Sequence, residues 1–310
     1  MNAKKFIADK VREIKVTVGA ETAVSALSGG VDSSACTMLA ARALGNQLKV
    51  IFIDDGLMRQ DEPEEVRGVF AKLGVKVEVI DARREFFKSL KRKTDPEKKR
   101  KAFRERFYKV FGREVKRSGA RFLVQGTIKA DIIETQGGVK TQHNILEQIG
   151  IDPEKGFGFR VVEPLKDLFK PDVRLVARAL GLPERIYNRM PFPGPGLACR
   201  VVGEVTPERV ETLRRATVLV EAELVRLKPF QAFAVLLSDR GTGVHAGRRR
   251  FGDIIIVRSV DSSDAMTARP TQVPWPALNR LAKKITDEIP SVTRVCYELT
   301  PKPPATIEYI

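Results

Sequence analysis

Ala23-Val24-Ser25-Ala26-Leu27-Ser28-Gly29-Gly30-Val31-Asp32-Ser33-Ser34 is the stretch from which the fold is read. Its first five residues are small or apolar and read as a buried strand. A glycine pair ends that strand, and the spacing predicts a helix from about Asp32 to Leu44. In such a strand–loop–helix unit, glycines let the backbone approach a phosphate closely. Successive N–H groups form a concave set of donors, and the helix N-terminus adds positive potential. Ser28, Gly29, Gly30, Val31, Asp32, Ser33 and Ser34 are therefore candidate phosphate ligands, with the serine hydroxyls as further donors. Asp32 is placed to hold a magnesium ion bridging phosphate oxygens. The plainer alternative is a tight turn capped by Ser28 or Asp32. The loop has neither the Gly-Lys-Ser/Thr of a Walker loop nor the Gly-x-Gly-x-x-Gly of a dinucleotide loop.

Outward from the loop, short apolar runs alternate with helical stretches. Leu48–Ile53 reads as a second strand, Asp61–Leu73 as a helix, Val75–Ile80 as a third strand. A basic helix at about Pro96–Arg117 precedes a fourth strand, Arg121–Val124, and another helix falls at about Asp172–Leu180. Continuous apolar strands alternating with helices imply a parallel sheet covered on both faces. The expected fold class is α/β, a doubly wound parallel sheet with ligands beyond the carboxyl ends of its strands. Met190–Leu197 holds three prolines and two glycines, which forbid regular structure. The domain boundary is placed there, giving domains 1–189 and 190–310. Beyond it the order changes: helix (about Pro207–Leu227), strands (Ala232–Ser238 and Asp253–Ser259), helix (Pro276–Ile289), strand (Thr293–Leu299). That order implies a smaller α+β domain.

The 310 residues carry a formal net charge of +16, with a pI near 9.9. The excess is concentrated: Arg83–Arg117 holds sixteen Lys/Arg against five Asp/Glu. Such a balance points to an anionic substrate or partner. Cys36, Cys199 and Cys296 are widely spaced, which argues against a zinc site or a disulfide framework. The only histidines are His143 and His245. No run of eighteen apolar residues occurs and the basic N-terminus lacks an apolar stretch behind it, so neither a membrane span nor a signal peptide is expected. A cytoplasmic location follows as the expectation.

The Ser28–Ser34 loop resembles that of the ATP-pyrophosphatase (PP-loop) superfamily, with an adenine nucleotide alpha hydrolase-like fold. Its members adenylate a substrate oxygen and release pyrophosphate. Several further segments resemble one family, the ATP-pyrophosphatase part of GMP synthetase. They are Phe52–Arg59, Asp95–Lys101, Gln125-Gly126-Thr127, Pro191–Leu197 and Lys302–Glu308. The resemblance runs from about Ala23 to the C-terminus. It implies that Gly126 and Thr127 lie near the nucleotide, that ATP and Mg2+ are used, and that XMP is bound by Arg100, Arg294, Lys302, Thr306, Ile307 and Glu308. The residues themselves agree. Arg294, Lys302, the Thr306 hydroxyl and the N–H groups around Ile307 are donors for a phosphate, and Glu308 is an acceptor for purine N–H groups. The tail departs from the family's usual Ile-Glu-Trp-Glu ending, since Tyr309-Ile310 follows Glu308. Gln142 stands before His143 where the family often has paired histidines.

The implied reaction is ATP-dependent amination of XMP to GMP through an adenyl-XMP intermediate, releasing AMP and pyrophosphate. Water would hydrolyse that intermediate, so a lid is expected, with Gly137–Gly158 as the candidate. Only 27 residues precede Ser28, so a separate glutaminase subunit is expected to supply ammonia, with Arg83–Arg117 as a docking candidate. Asp253–Val257 is apolar on both strand faces, which leads to the expectation of a homodimer through the C-terminal domain. A tRNA-modifying PP-loop enzyme would fit the charge but often relies on cysteine pairs. A plain RNA-binding protein leaves the loop unexplained and lacks interleaved aromatics for base stacking, so no nucleic-acid partner is expected.

Overall fold

Buried on both faces, a parallel strand needs apolar side chains in both directions, and Ala23, Val24 and Ser25 are all buried. The computed structural model describes residues 1–136, 159–245 and 247–310. The expected lid Gly137–Gly158, with His143, lies outside them. Along the chain come α1 (Ala3–Val18), β1 (Ala23–Ala26), α2 (Val31–Leu44), β2 (Leu48–Asp54), α3 (Glu62–Lys72) and β3 (Val77–Asp81). Then follow α4 (Arg83–Leu90), α5 (Pro96–Ser118), β4 (Phe122–Val124), α6 (Lys129–Gln136), β5 (Arg160–Val162), α7 (Lys170–Ala179) and α8 (Glu184–Tyr187). The rest is α9 (Pro207–Leu224), β6 (Gln231–His245), β7 (Arg248–Asp261), β8 (Arg269–Pro270), α10 (Trp275–Glu288) and β9 (Val292–Tyr297).

These elements form two compact units. Residues 1–54, 61–82 and 107–189 make the first, and residues 55–60, 83–106 and 190–310 the second. The second unit thus draws two segments from the N-terminal half, which a single cut at residue 190 does not anticipate.

The first unit is the doubly wound α/β layer. Its five strands are all parallel, in the order β3-β2-β1-β4-β5. Between β1 and β4 the winding reverses direction, which in open α/β sheets is where the ligand crevice lies, beyond the carboxyl ends of the strands. α2 is buried over most of its length, from Ser34 through Ala40 and at Leu44. Its small residues Ala35, Cys36 and Ala40 suit packing against the sheet and against α1 and α7. Ser25 Oγ and Thr37 Oγ1, 2.8 Å apart, tie β1 to α2 with a buried hydrogen bond. The sequence reading assigns no element before Ala23. There α1 buries Ile7, Ile14 and Val18, and Asn2 caps it by accepting from the Lys5 N–H at 3.1 Å.

In the second unit β6 and β7 pair antiparallel, β7 pairs β8 antiparallel and β9 parallel, and α9 and α10 pack on the sheet. Thr206 caps α9 and Pro207 opens it. The β6–β7 hairpin is much longer than the expected strands Ala232–Ser238 and Asp253–Ser259, and it runs through Gly241, Gly243 and Gly252. They are glycines for space. A Cβ on Gly241 would come within 2.6 Å of Arg294, one on Gly243 within 2.8 Å of Thr293, and one on Gly252 within 2.5 Å of the Ser291 carbonyl.

The proline- and glycine-rich segment Pro191–Leu197 is held by backbone. Gly196 has φ +59°, and the Leu197 N–H donates to the Leu57 carbonyl at 2.8 Å. A Cβ on Gly196 would lie 2.4 Å from that same carbonyl oxygen. Gly196→Ala combines a left-handed backbone with a clash against main chain, so we expect a loss of about 1–3 kcal/mol or more in chemical denaturation. A wild-type midpoint would show that this approach is not constrained.

Candidate functional site

The loop after β1 folds on itself through its serines. Ser28 Oγ and Ser33 Oγ are 2.9 Å apart, the Ser28 N–H donates to Ser33 Oγ at 3.1 Å, and Ser33 Oγ donates to the Gly30 carbonyl at 3.1 Å. Gly29 has φ +76°, and a Cβ there would meet Glu62 Oε1 at 2.7 Å. Glu62 is itself fixed by Arg189 Nη1 at 2.6 Å. Gly30 is the N-cap residue of α2 and makes no side-chain cap, so the helix opens with N–H groups that a bound anion can satisfy. Gly126 follows β4, the neighbour of β1. A Cβ on it would lie 2.9 Å from the backbone of both Asp32 and Ser33. Ser28–Ser34, Gly126 and Thr127 thus all stand at the carboxyl edge of β1 and β4, where the sheet reverses its winding.

Charges of both signs line this crevice. Asp32 accepts from Lys170 Nζ at 2.5 Å through Oδ2, while its buried Oδ1 has no hydrogen-bond partner among the described residues. Burial pushes the Asp32 carboxyl above its ordinary value, with the Lys170 ammonium opposing the shift. Glu163 follows β5 and accepts from Thr127 Oγ1 at 2.6 Å, and Thr127 in turn accepts from Gln125 Nε2 at 3.2 Å. The buried Cys36 thiol is pushed up by desolvation and then by both Glu163 and Asp32, so the two carboxylates share a neighbourhood. The unpartnered Oδ1 of Asp32 is a hard oxygen donor of the kind a divalent cation takes. Sequence reasoning missed Lys170, Glu163 and the Glu62–Arg189 pair. Each reaches the loop from far along the chain, which no local spacing records.

The residues expected to hold XMP all lie in the second unit. Lys302 Nζ donates to the Ala265 carbonyl at 2.8 Å. The Thr306 hydroxyl donates to the Glu308 carbonyl, and the Thr306 carbonyl accepts from Arg258 Nη2 at 3.0 Å. Arg258 is buried and also donates to the Thr300 carbonyl at 2.6 Å, so one guanidinium fixes both ends of the Lys302 turn. Ile307 is buried. Glu308 is engaged already: Arg200 Nε and Nη2 donate to its two oxygens at 3.0 and 2.9 Å, and Gln231 Nε2 donates to Oε1. Arg294 stands on β9 with its stem against Gly241. Arg100 pairs with Glu97 and lines a small concavity with Lys99, Pro195, Cys199 and Ile310. Lys99 Nζ donates to the Val201 carbonyl at 2.6 Å, and burial draws its ammonium down to about 8. Sequence reasoning missed Arg200, Gln231 and Arg258.

A doubly wound sheet with an anion cradle at its switch point, and a carboxylate beside that cradle, defines an ATP-using α/β enzyme unit of the PP-loop kind. Comparison with known proteins agrees. The family model "NAD synthase" matches residues 1–194, and "GMP synthase C terminal domain" matches residues 219–309. A glutamine-hydrolyzing GMP synthase subunit of Methanoregula boonei is 52% identical over 310 residues, covering 100% of this chain and 99% of the relative. The corresponding subunits from Archaeoglobus fulgidus and Pyrococcus furiosus are each 50% identical over 309 residues. Their alignments cover 100% and 97% of those relatives. The chain belongs to this family of GMP synthase subunits.

The raised Asp32 carboxyl carries a sign. The unfolded chain loses this proton near 3.8 and the folded chain only at higher pH, so stability falls as pH rises through that window. At neutral pH the ionised carboxylate is therefore a cost to the unliganded fold. Asp32→Asn is expected to keep or raise the thermal midpoint at pH 7 while abolishing ATP-dependent pyrophosphate release. A lowered midpoint would contradict the burial argument, and normal release would contradict the functional one.

Proposed function

We propose that this chain is the synthetase component of a two-subunit GMP synthase, converting XMP to GMP in a reaction driven by ATP. The observation that carries the proposal is the β1–α2 cradle, with its loop N–H groups, its uncapped helix start and the unpartnered Asp32 Oδ1. The β- and γ-phosphates of ATP sit on Ser28–Ser34, and Lys170 supplies a cation there. Asp32, with Glu163 nearby, holds Mg2+, which when bound neutralises charge developing on the pyrophosphate. Gly126 keeps the cradle close to the β4 edge, and Thr127 is fixed by Glu163 beside the nucleotide.

XMP binds through the second unit. Arg100, Arg294, Lys302, the Thr306 hydroxyl and the Ile307 N–H are the donors for its phosphate and sugar, and Glu308 accepts from the base. The C2 oxygen of XMP attacks the α-phosphorus of ATP, and the bond to the bridging oxygen breaks with departure of pyrophosphate. The activated C2 is then attacked by ammonia, and AMP leaves with the former C2 oxygen, giving GMP. In this scheme the protein contributes positioning and charge stabilisation, with no covalent intermediate on a side chain. Ammonia comes from a separate glutaminase subunit. The long basic helix α5 and the segment before it, Arg83–Arg117, fit an acidic surface on that partner. The working form is a cytoplasmic homodimer joined through the C-terminal unit, where Val244, Phe251 and Leu299 are exposed apolar side chains. Ile255–Val257, in the stretch on which the expectation from sequence rests, are already buried within the single chain.

The purified chain is expected to make AMP, pyrophosphate and GMP in equal amounts from ATP, XMP and an ammonium salt, and to make none with glutamine as nitrogen source. Chromatographic quantitation of the three products decides it. Substantial glutamine-dependent turnover by the single chain would refute the two-subunit reading, and no AMP with ammonium would refute the reaction.

A further inference from the structure

Arg200 is a sealed cation, 1% exposed at the end of the short helical turn Gly196–Arg200. Its guanidinium carbon lies 4.0 Å from the ring centroid of Phe233 and 4.9 Å from that of Phe192. Two aromatic faces therefore hold the plane of the fork. Nε and Nη2 grip the two oxygens of Glu308 in parallel, the bidentate geometry that fixes a carboxylate's rotation as well as its place. Gln231 adds a donor to Oε1 and anchors itself on the Pro191 carbonyl at 3.2 Å. While the cation is shut away, the Glu308 side chain keeps 25% of its surface exposed.

A carboxylate offers about four acceptor sites on its two oxygens. Arg200 uses one on each, and Gln231 uses the second on Oε1. What remains accessible to a ligand is a single direction on Oε2. Arg200 Nη1, meanwhile, is buried with no hydrogen-bond partner among the described residues. The hydrogen bonds the guanidinium does make among the described residues all go to Glu308, so its contact fixes the orientation of that carboxylate.

We propose that Arg200 is a positioning residue for XMP selection: it aims the one accessible lone pair of Glu308 at a base N–H without touching the nucleotide itself. This rests on the reading of Glu308 as the acceptor for the purine. The role differs from that of Arg294 or Lys302, which offer charge to the ligand directly. It also explains why an arginine stands here, because a lysine ammonium cannot hold both carboxylate oxygens in one plane.

The test uses the full chain with ammonium as nitrogen source and compares Arg200→Gln, Arg200→Lys, Glu308→Gln and the double variant Arg200→Gln/Glu308→Gln. Arg200→Gln is expected to raise the KM for XMP about tenfold or more while moving the KM for ATP less than about twofold. Arg200→Lys should recover only part of the loss. If Arg200 acts through Glu308, the double variant binds XMP no worse than Glu308→Gln alone. Losses that multiply in the double variant, or equal effects on ATP and XMP, overturn the proposal. Should Arg200→Gln fail to fold, Arg200→Lys and its double variant with Glu308→Gln are read by the same criteria. Wild-type XMP binding in Glu308→Gln would overturn the reading of Glu308 itself, an outcome distinct from the failure of Arg200 alone.

Discussion

The structure turns on one close approach of backbone to backbone. Gly126 follows β4 so near to the β1–α2 loop that even a methyl group would lie 2.9 Å from the main chain of Asp32 and Ser33. That approach fixes the loop against the edge of the neighbouring strand. It brings Thr127 to the same edge of the sheet as Asp32, where α2 opens at Gly30 without a side-chain cap. In the proposed reaction a polyphosphate would satisfy donors that the fold already holds in place, so they need no ordering at each turnover. Everything the first unit contributes to chemistry depends on this geometry, and its cost appears in Asp32. A carboxylate is kept partly buried, with one oxygen unpartnered among the described residues, where the unliganded fold would be more stable without its charge.

The second unit solves a different problem with buried arginines. Arg258 ties the Thr300 and Thr306 carbonyls together across the Lys302 turn, and Arg200 does the same for the Glu308 carboxylate. Arg209 reaches the carbonyls of Val202, Glu204 and Leu237. Irregular backbone such as this tail cannot satisfy its own carbonyls, and a fork of five donors serves several at once. Part of the basic excess of the chain is thereby structural. The altered ending Tyr309-Ile310 follows the same logic, since Tyr309 packs against the Phe233, Val235 and Ile256 cluster and Ile310 lines the concavity beside Arg100.

Much of the first unit is legible because its signals are local. The glycine pair after an apolar run, the strand–helix alternation and the proline-rich break all act over a few residues. The strands and helices that the sequence reading places between Ala23 and Leu180 agree with the structure to within a few residues, while the short elements α4, α6 and β5 go unassigned in it. What stays hidden depends on distance. Lys170 meets Asp32 across 138 positions, and Arg200 meets Glu308 across 108. The full length of the hairpin stays hidden because the groups that occupy the space at Gly241, Gly243 and Gly252, namely Arg294, Thr293 and the Ser291 carbonyl, come from far along the chain. α1 escapes the sequence reading because its apolar stripe is thin, with three buried residues among many charges.

The central claim is that the cradle holds pyrophosphate while the α-phosphoryl group passes to an oxygen of XMP. Oxygen labelling tests this most directly. XMP carrying 18O at C2 should yield AMP with one 18O on phosphorus for each GMP formed, and unlabelled pyrophosphate. Label found in water or in pyrophosphate, with AMP unlabelled, would contradict the account.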